Sequence, residues 1–231
     1  MKTNTIRFLS LVLLSSCSSS LVYSPAVSLP AQPLSENQID LQGSAEFLPE
    51  TRPSHNGGIT APGISGQLTY GFSDHLAIGI RGWAATQNWN SNLRTGYSLH
   101  AQYRWERAPN QHLYLIPRVG MALDGSCIQG FGLSNSLIWK YQASGKLNYY
   151  FGFGAAFGHT AFRAPDVRLT NDRPPMGFAG LAHLGLQWAF AKKAYLNLEA
   201  NPIFLLNTYD QENWLLLSPQ LSIGYTLGPQ Q

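Results

Sequence analysis

Six histidines and twelve acidic residues are enough to build a metal centre or an acid–base pair, so their spacing is the first question. The chain has no HExxH pair and no other close ligand spacing. No P-loop or dinucleotide fingerprint occurs, so no metal or cofactor is assigned. A lipid-modifying hydrolase would need a nucleophile or base at a rim, and Ser136, or His159 with Asp166, are the residues on offer. None of them lies in a GxSxG elbow. A protease of the paired-acid type would draw on Asp124, Asp166, Asp172 and Asp210, which read as solvated loop carboxylates. These patterns assign no catalytic residue.

The two cysteines are Cys17 and Cys127. Lys2 and Arg7 precede the short apolar run Phe8–Leu14, which is too short to span a bilayer as a helix. Leu14-Ser15-Ser16-Cys17 then resembles a bacterial lipobox. The reading is a signal peptide over 1–16 and a palmitate-type acyl modification of Cys17, followed by a lipidated tether over 17–38. Residues 18–38 show no periodicity, and part of this tether is expected to dock on the domain that follows. Cys127 is then left without an intramolecular partner, which excludes a disulfide framework. Loss of Lys2 and Arg7 takes the balance from 15 basic against 12 acidic residues to 13 against 12, so nucleic acid is not an expected partner.

Any site must sit on the elements that the rest of the chain forms. Charged residues are 12% of the chain, about half the usual share. From Ile39 onward the apolar period is two, in ten runs: 39–49, 63–72, 75–85, 96–106, 111–121, 132–142, 146–158, 178–190, 194–205 and 214–227. No stretch sustains a 3.6-residue period. In the eighth run Phe178, Ala182, Leu184, Leu186 and Trp188 alternate with His183, Gly185 and Gln187. The apolar register of every run is free of Asp, Glu, Lys and Arg. Its Tyr, Trp and Phe side chains are too bulky to fill a small barrel, whereas the opposite face is Gly, Ala, Ser, Asn and Gln. Apolar-out and polar-in is the membrane-barrel pattern.

The fold class expected is therefore all-β: a closed antiparallel transmembrane β-barrel over 39–231 with about ten strands, eight or twelve being the alternatives. Tight links at 73–74, 107–110, 143–145 and 191–193 alternate with longer ones at 50–62, 86–95, 122–131, 159–177 and 206–213. That alternation puts both termini in the periplasm and the long loops outside. Tyr70/Phe72, Tyr103/Trp105, Trp139/Tyr141, Trp188/Phe190 and Tyr225 should form an aromatic girdle at the periplasmic interface. Pro117, Pro202 and Pro219 fall inside strands, where each removes a ladder donor, so bulges or ladder breaks are expected there.

Counting from the strand ends places Glu46, Arg81, Arg118 and Glu199 at one height, facing inward, with His100 and His183 near the same level. Unpaired charge away from water is costly. Arg81 and Arg118 are therefore expected to bridge the lumen to Glu46 or Glu199 and obstruct it. In the longest loop His159, Phe162, Arg163, Arg168 and Arg173 are candidates to meet lipopolysaccharide or a partner protein.

Cys17-Ser18-Ser19-Ser20, Val22-Tyr23-Ser24-Pro25-Ala26 and Pro33-Leu34-Ser35-Glu36 resemble the start of a group of outer-membrane β-barrel lipoproteins. Tyr70-Gly71-Phe72-Ser73-Asp74-His75-Leu76-Ala77-Ile78-Gly79 is similar to the strand-turn-strand of small outer-membrane barrels. The resemblance implies a Gram-negative outer-membrane location, membrane lipid and the barrel-assembly machinery as partners, and no reaction. The expected role is structural or surface-binding through the loops. The alternatives are a small solute pore and a lipid-modifying enzyme.

Overall fold

The computed structural model describes residues 24–50, 59–86, 93–124, 127–160, 176–207 and 213–228. Ten strands follow in chain order: β1 Ile39–Glu50, β2 Ile59–Ser73, β3 Leu76–Thr86, β4 Leu93–Ala108, β5 Gln111–Asp124, β6 Cys127–Gln142, β7 Leu147–Thr160, β8 Met176–Ala189, β9 Ala194–Asn207 and β10 Asn213–Leu227. Each pairs antiparallel with its sequence neighbours, and β1 pairs with β10 to close the barrel. β1 begins and β10 ends at the same rim, where Ile39 faces Leu227.

The alternation in the sequence dictates the two faces. Leu68, Ile78, Ile80, Leu99, Phe153, Leu184, Leu198, Leu217 and Ile223 stand exposed on the outside. Their sequence neighbours Gln67, Thr69, Arg81, His100, His183, Asn197, Ser218 and Ser222 are buried inside. An apolar belt of this extent is foreign to a soluble monomer. Phe72, Tyr103, Trp105, Trp188, Phe190 and Tyr225 are exposed near the tight-turn rim. On the same surface Tyr141 stacks on Tyr149 with ring centroids 5.2 Å apart.

Two details differ from the sequence reading. The strands run further than the alternation, because a ladder needs no apolar side chain. β5 and β6 thereby reduce the expected 122–131 loop to residues 125–126. Of the bulges or ladder breaks expected at the prolines, the ladder breaks occur; the register shifts lie elsewhere, at Gly71/Ser73, Glu106/Ala108 and Ala122/Leu123. The ladder on one side of the strand lapses at Pro117 and at Pro202 with its register unchanged. Between β4 and β5 it skips from His100–Arg118 to Tyr103–Leu115, and between β8 and β9 from Leu181–Ile203 to Leu184–Ala200. The β1–β10 seam stops at Glu46–Gln220, one residue short of Pro219.

The second difference is the larger. Residues 24–31 do not dock on the outside of the barrel but lie within the lumen, every one of them buried. They descend to the tight-turn rim, leave past Leu34, and turn at Asn37 (φ 65°) into β1. Gly71 makes room for that exit, since a Cβ there would lie 2.0 Å from the Ser35 carbonyl oxygen. The exit is fastened by Asn37 N–H to the Gly71 carbonyl (2.9 Å), Gly71 N–H to the Gln38 carbonyl (2.8 Å) and the Tyr70 hydroxyl to Asn37 Oδ1 (2.7 Å).

Candidate functional site

The lumen is the candidate site, and its occupant is the chain's own segment 24–31. Pro25, Pro30 and Pro33 keep the segment from pairing as a strand, because each lacks an N–H. Its backbone carbonyls therefore need donors from the wall. Six inward side chains from six strands supply them. Arg118 on β5 donates to the carbonyls of Ser24 (2.8 Å) and Ala26 (2.9 Å). Gln42 on β1 and Gln67 on β2 both donate to Ser28 O at 2.9 Å. Gln187 on β8 donates to Leu29 O at 2.6 Å. Lys140 on β6 donates to Pro30 O and, at 2.8 Å, to Ala31 O. Asn148 on β7 donates to Ala31 O at 2.6 Å.

Carboxylates take up the segment's own donors. Ser28 sits in the left-handed region (φ 51°), a conformation that costs a non-glycine residue about 1–3 kcal/mol. Two successive amides meet the Glu199 carboxylate, Val27 N–H at 2.6 Å and Ser28 N–H at 3.1 Å. Charge-assisted bonds of this kind are about twice as strong as neutral ones. Tyr150 also donates to Glu199 at 2.6 Å, its ring lying across Gly185, where a Cβ would come within 2.0 Å of it. Glu46 pairs with Arg81 at 3.0 Å and accepts from the Ser24 hydroxyl. Arg81 further donates to Ser28 Oγ and to Ser65 Oγ.

Glu46, Arg81, Arg118 and Glu199 thus converge on residues 24–28. Their partners differ from the expectation of two direct cross-lumen bridges. The Arg81–Glu46 pair is direct; Arg118 turns its two terminal nitrogens to peptide carbonyls, and Glu199 takes peptide amides. The segment offers dipoles at closer range than the opposite wall. His100 and His183 face inward and are buried, but they bond to the wall. His100 Nε2 lies 3.5 Å from Thr69 Oγ1 and 3.4 Å from Gln102 Nε2. His183 lies between Ser136 Oγ (3.0 Å from Nε2) and Asn201 Oδ1 (2.8 Å from Nδ1).

That Ser136–His183–Asn201 chain has the nucleophile, base and orienter order of a hydrolytic triad. It lacks the rest of the machinery. All three side chains are buried, and Ser136 pairs with Ile116 and Gly154 in flanking ladders that engage the local backbone amides. Among the described residues no three His, Cys, Asp or Glu side chains come together as a metal site.

Lys140, Gln42, Gln67, Asn148 and Gln187 were not singled out from the sequence. Their signal was a polar side chain on the inward register, Lys140 above all, since a lone inward lysine needs a partner. The lumen is also less polar than its composition implied. Tyr114, Ile116, Ile138 and Tyr150 pack against Val27 and Leu29. Nearer the opposite rim, Leu48, Trp83, Ala85 and Ala122 form a second cluster, and Ala156, Ala179, Leu181, Ile203 and Leu216 a third. Cys17, Phe162, Arg163, Arg168 and Arg173 lie outside the described residues, as does the side chain of His159.

No family model matches the sequence, and no curated protein matches it. Solved structures do resemble the fold. An outer-membrane channel from Pseudomonas putida F1 aligns over 89% of this chain and 100% of its own, at 9% identity and a TM-score of 0.54. The N-terminal β-barrel domain of Pseudomonas aeruginosa OprF aligns over 84% and 100%, at 10% identity and a TM-score of 0.41. The KdgM porin aligns over 82% and 99%, at 7% identity and a TM-score of 0.40. The first of these shares with this chain the architecture of a closed antiparallel β-barrel of the outer-membrane type.

Proposed function

We propose that this chain is a lipid-anchored protein of the Gram-negative outer membrane, with its tight-turn rim in the periplasm and a lumen closed by its own N-terminal segment. In this reading it is a non-enzymatic barrel that presents its long loops, including His159, Phe162, Arg163, Arg168 and Arg173, to the outside. The observation that carries the reading is the buried segment 24–31, held by six donors from six strands. The apolar outer belt supports a bilayer location, and the lipobox-like run before Cys17 supports an anchor.

The pore reading keeps one supporting observation: the plug is a non-covalently held peptide and not part of the wall. The test is conductance in a planar bilayer. Wild-type protein should give no steady ion current, whereas the double variant Arg118→Ala/Lys140→Ala should give discrete openings. Steady wild-type current, unchanged in the double variant, would overturn the closed-lumen reading. Metabolic labelling with a fatty acid tests the anchor separately, with Cys17→Ala as the unlabelled control.

A further inference from the structure

The way the wall grips its occupant says what else it could hold. The six donors reach backbone carbonyls, which every polypeptide has. Glu199 likewise receives backbone amides. The occupant's apolar side chains contribute shape, Val27 and Leu29 being packed among Tyr114, Ile116, Ile138 and Tyr150, and only the Ser24 and Ser28 hydroxyls add side-chain bonds, to Glu46, Arg81 and Gln220. The wall is also balanced in charge. Its buried ionisable side chains of fixed sign are Arg81, Arg118 and Lys140 against Asp40, Glu46 and Glu199, three on each side. Ser24–Leu34 contains no Asp, Glu, Lys or Arg, so the balance is undisturbed; a charge on the occupant would be desolvated and would leave the lumen with an excess of one sign. The wall is rich in donors, and proline supplies carbonyls without adding an N–H to satisfy. Three prolines in eleven residues match that surplus.

We propose that this part of the lumen is a binding site for an extended, uncharged, proline-containing polypeptide, read chiefly through its backbone. Residues 24–31 are its resident occupant and can be exchanged for another such chain. The inference stands on the grip itself and does not depend on whether the barrel conducts.

The experiment starts from the full-length folded protein. A specific protease sequence is inserted after Glu36, which is exposed and outside the lumen, and the chain is cut once folded in detergent. Heat-modified migration on gels before and after cutting checks that the barrel is intact. The released-end fragment should co-elute with the barrel and be displaced by excess synthetic peptide of sequence Ser24–Leu34. The labelled peptide should then bind saturably. Arg118→Met or Lys140→Met in the wall should weaken it about 10-fold or more, as loss of a charged hydrogen bond predicts. A peptide carrying Val27→Asp should bind at least about 100-fold more weakly. Loss of the fragment on cutting without saturable peptide binding, or equal affinity for the Asp peptide, would overturn the proposal. A fragment that no excess of peptide displaces would overturn it too. Should the insertion prevent folding, hydrogen exchange in the uncut chain decides. Val27 and Ser28 amides should exchange faster than the β9 ladder and faster again in Arg118→Met. Exchange at the rate of the ladder itself means that the segment leaves only when the barrel unfolds, and the site is not exchangeable.

Discussion

The outer face and the lumen use alternate residues of the same ten strands, yet opposite physics holds them. Outside, Leu184 and Leu198 are 54% and 57% exposed and need no partner except an apolar solvent. Inside, Glu199 and Arg81 are sealed from solvent, so their polar atoms can find partners only in the protein. A defect outside is therefore a transfer problem that any neighbouring residue shares. A defect inside is a pairing problem, specific to one bond.

The sharpest way to break that comparison is Glu46→Ala. It leaves the Arg81 guanidinium buried without its carboxylate, and removal of one partner from a buried pair costs about 3–5 kcal/mol. Denaturant unfolding in detergent should show it, and the double variant Glu46→Leu/Arg81→Leu should recover most of the loss. Next in size is Leu184→Arg on the outer belt, expected to cost about 2–4 kcal/mol in a bilayer. Reconstitution into vesicles reads it; an effect no larger than that of a mild lumen change would mean that the belt does not meet lipid. The smallest is Gln187→Ala, which removes the single neutral bond to Leu29 O. A cost of about 1 kcal/mol is expected, with the segment 24–31 released before any strand when exchange is followed amide by amide.

The same division decides how much was legible in the sequence. Period two with a charge-free register was sufficient for the outward set, because lipid-facing and lumen-facing positions separate by residue type at every step. Heights could be counted, so Glu46, Arg81, Arg118 and Glu199 were placed in one layer. Their partners could not be read, because Arg118 and Glu199 bind peptide groups that carry no side-chain signature. Ser24–Leu34 has three prolines and no period, and in sequence terms an internal strap of that kind is indistinguishable from a solvated tether. Its missing clue was the absence of charge across Ser24–Leu34, which a solvated linker would not require. The short link at 125–126 was hidden because Asp124 and Cys127 pair in the ladder without contributing to the apolar alternation.

The segment's place in the chain also constrains the order of assembly. It precedes β1, while the seam that closes the barrel joins β1 to β10, the last strand made. A wall that closed first would enclose three basic and three acidic side chains without the peptide groups that Glu199, Arg118 and Lys140 bind, and the segment would then have to thread a finished ring. Closing the seam over a segment already in position avoids both costs. The segment then acts as a mandrel, around which the last strand completes the circle.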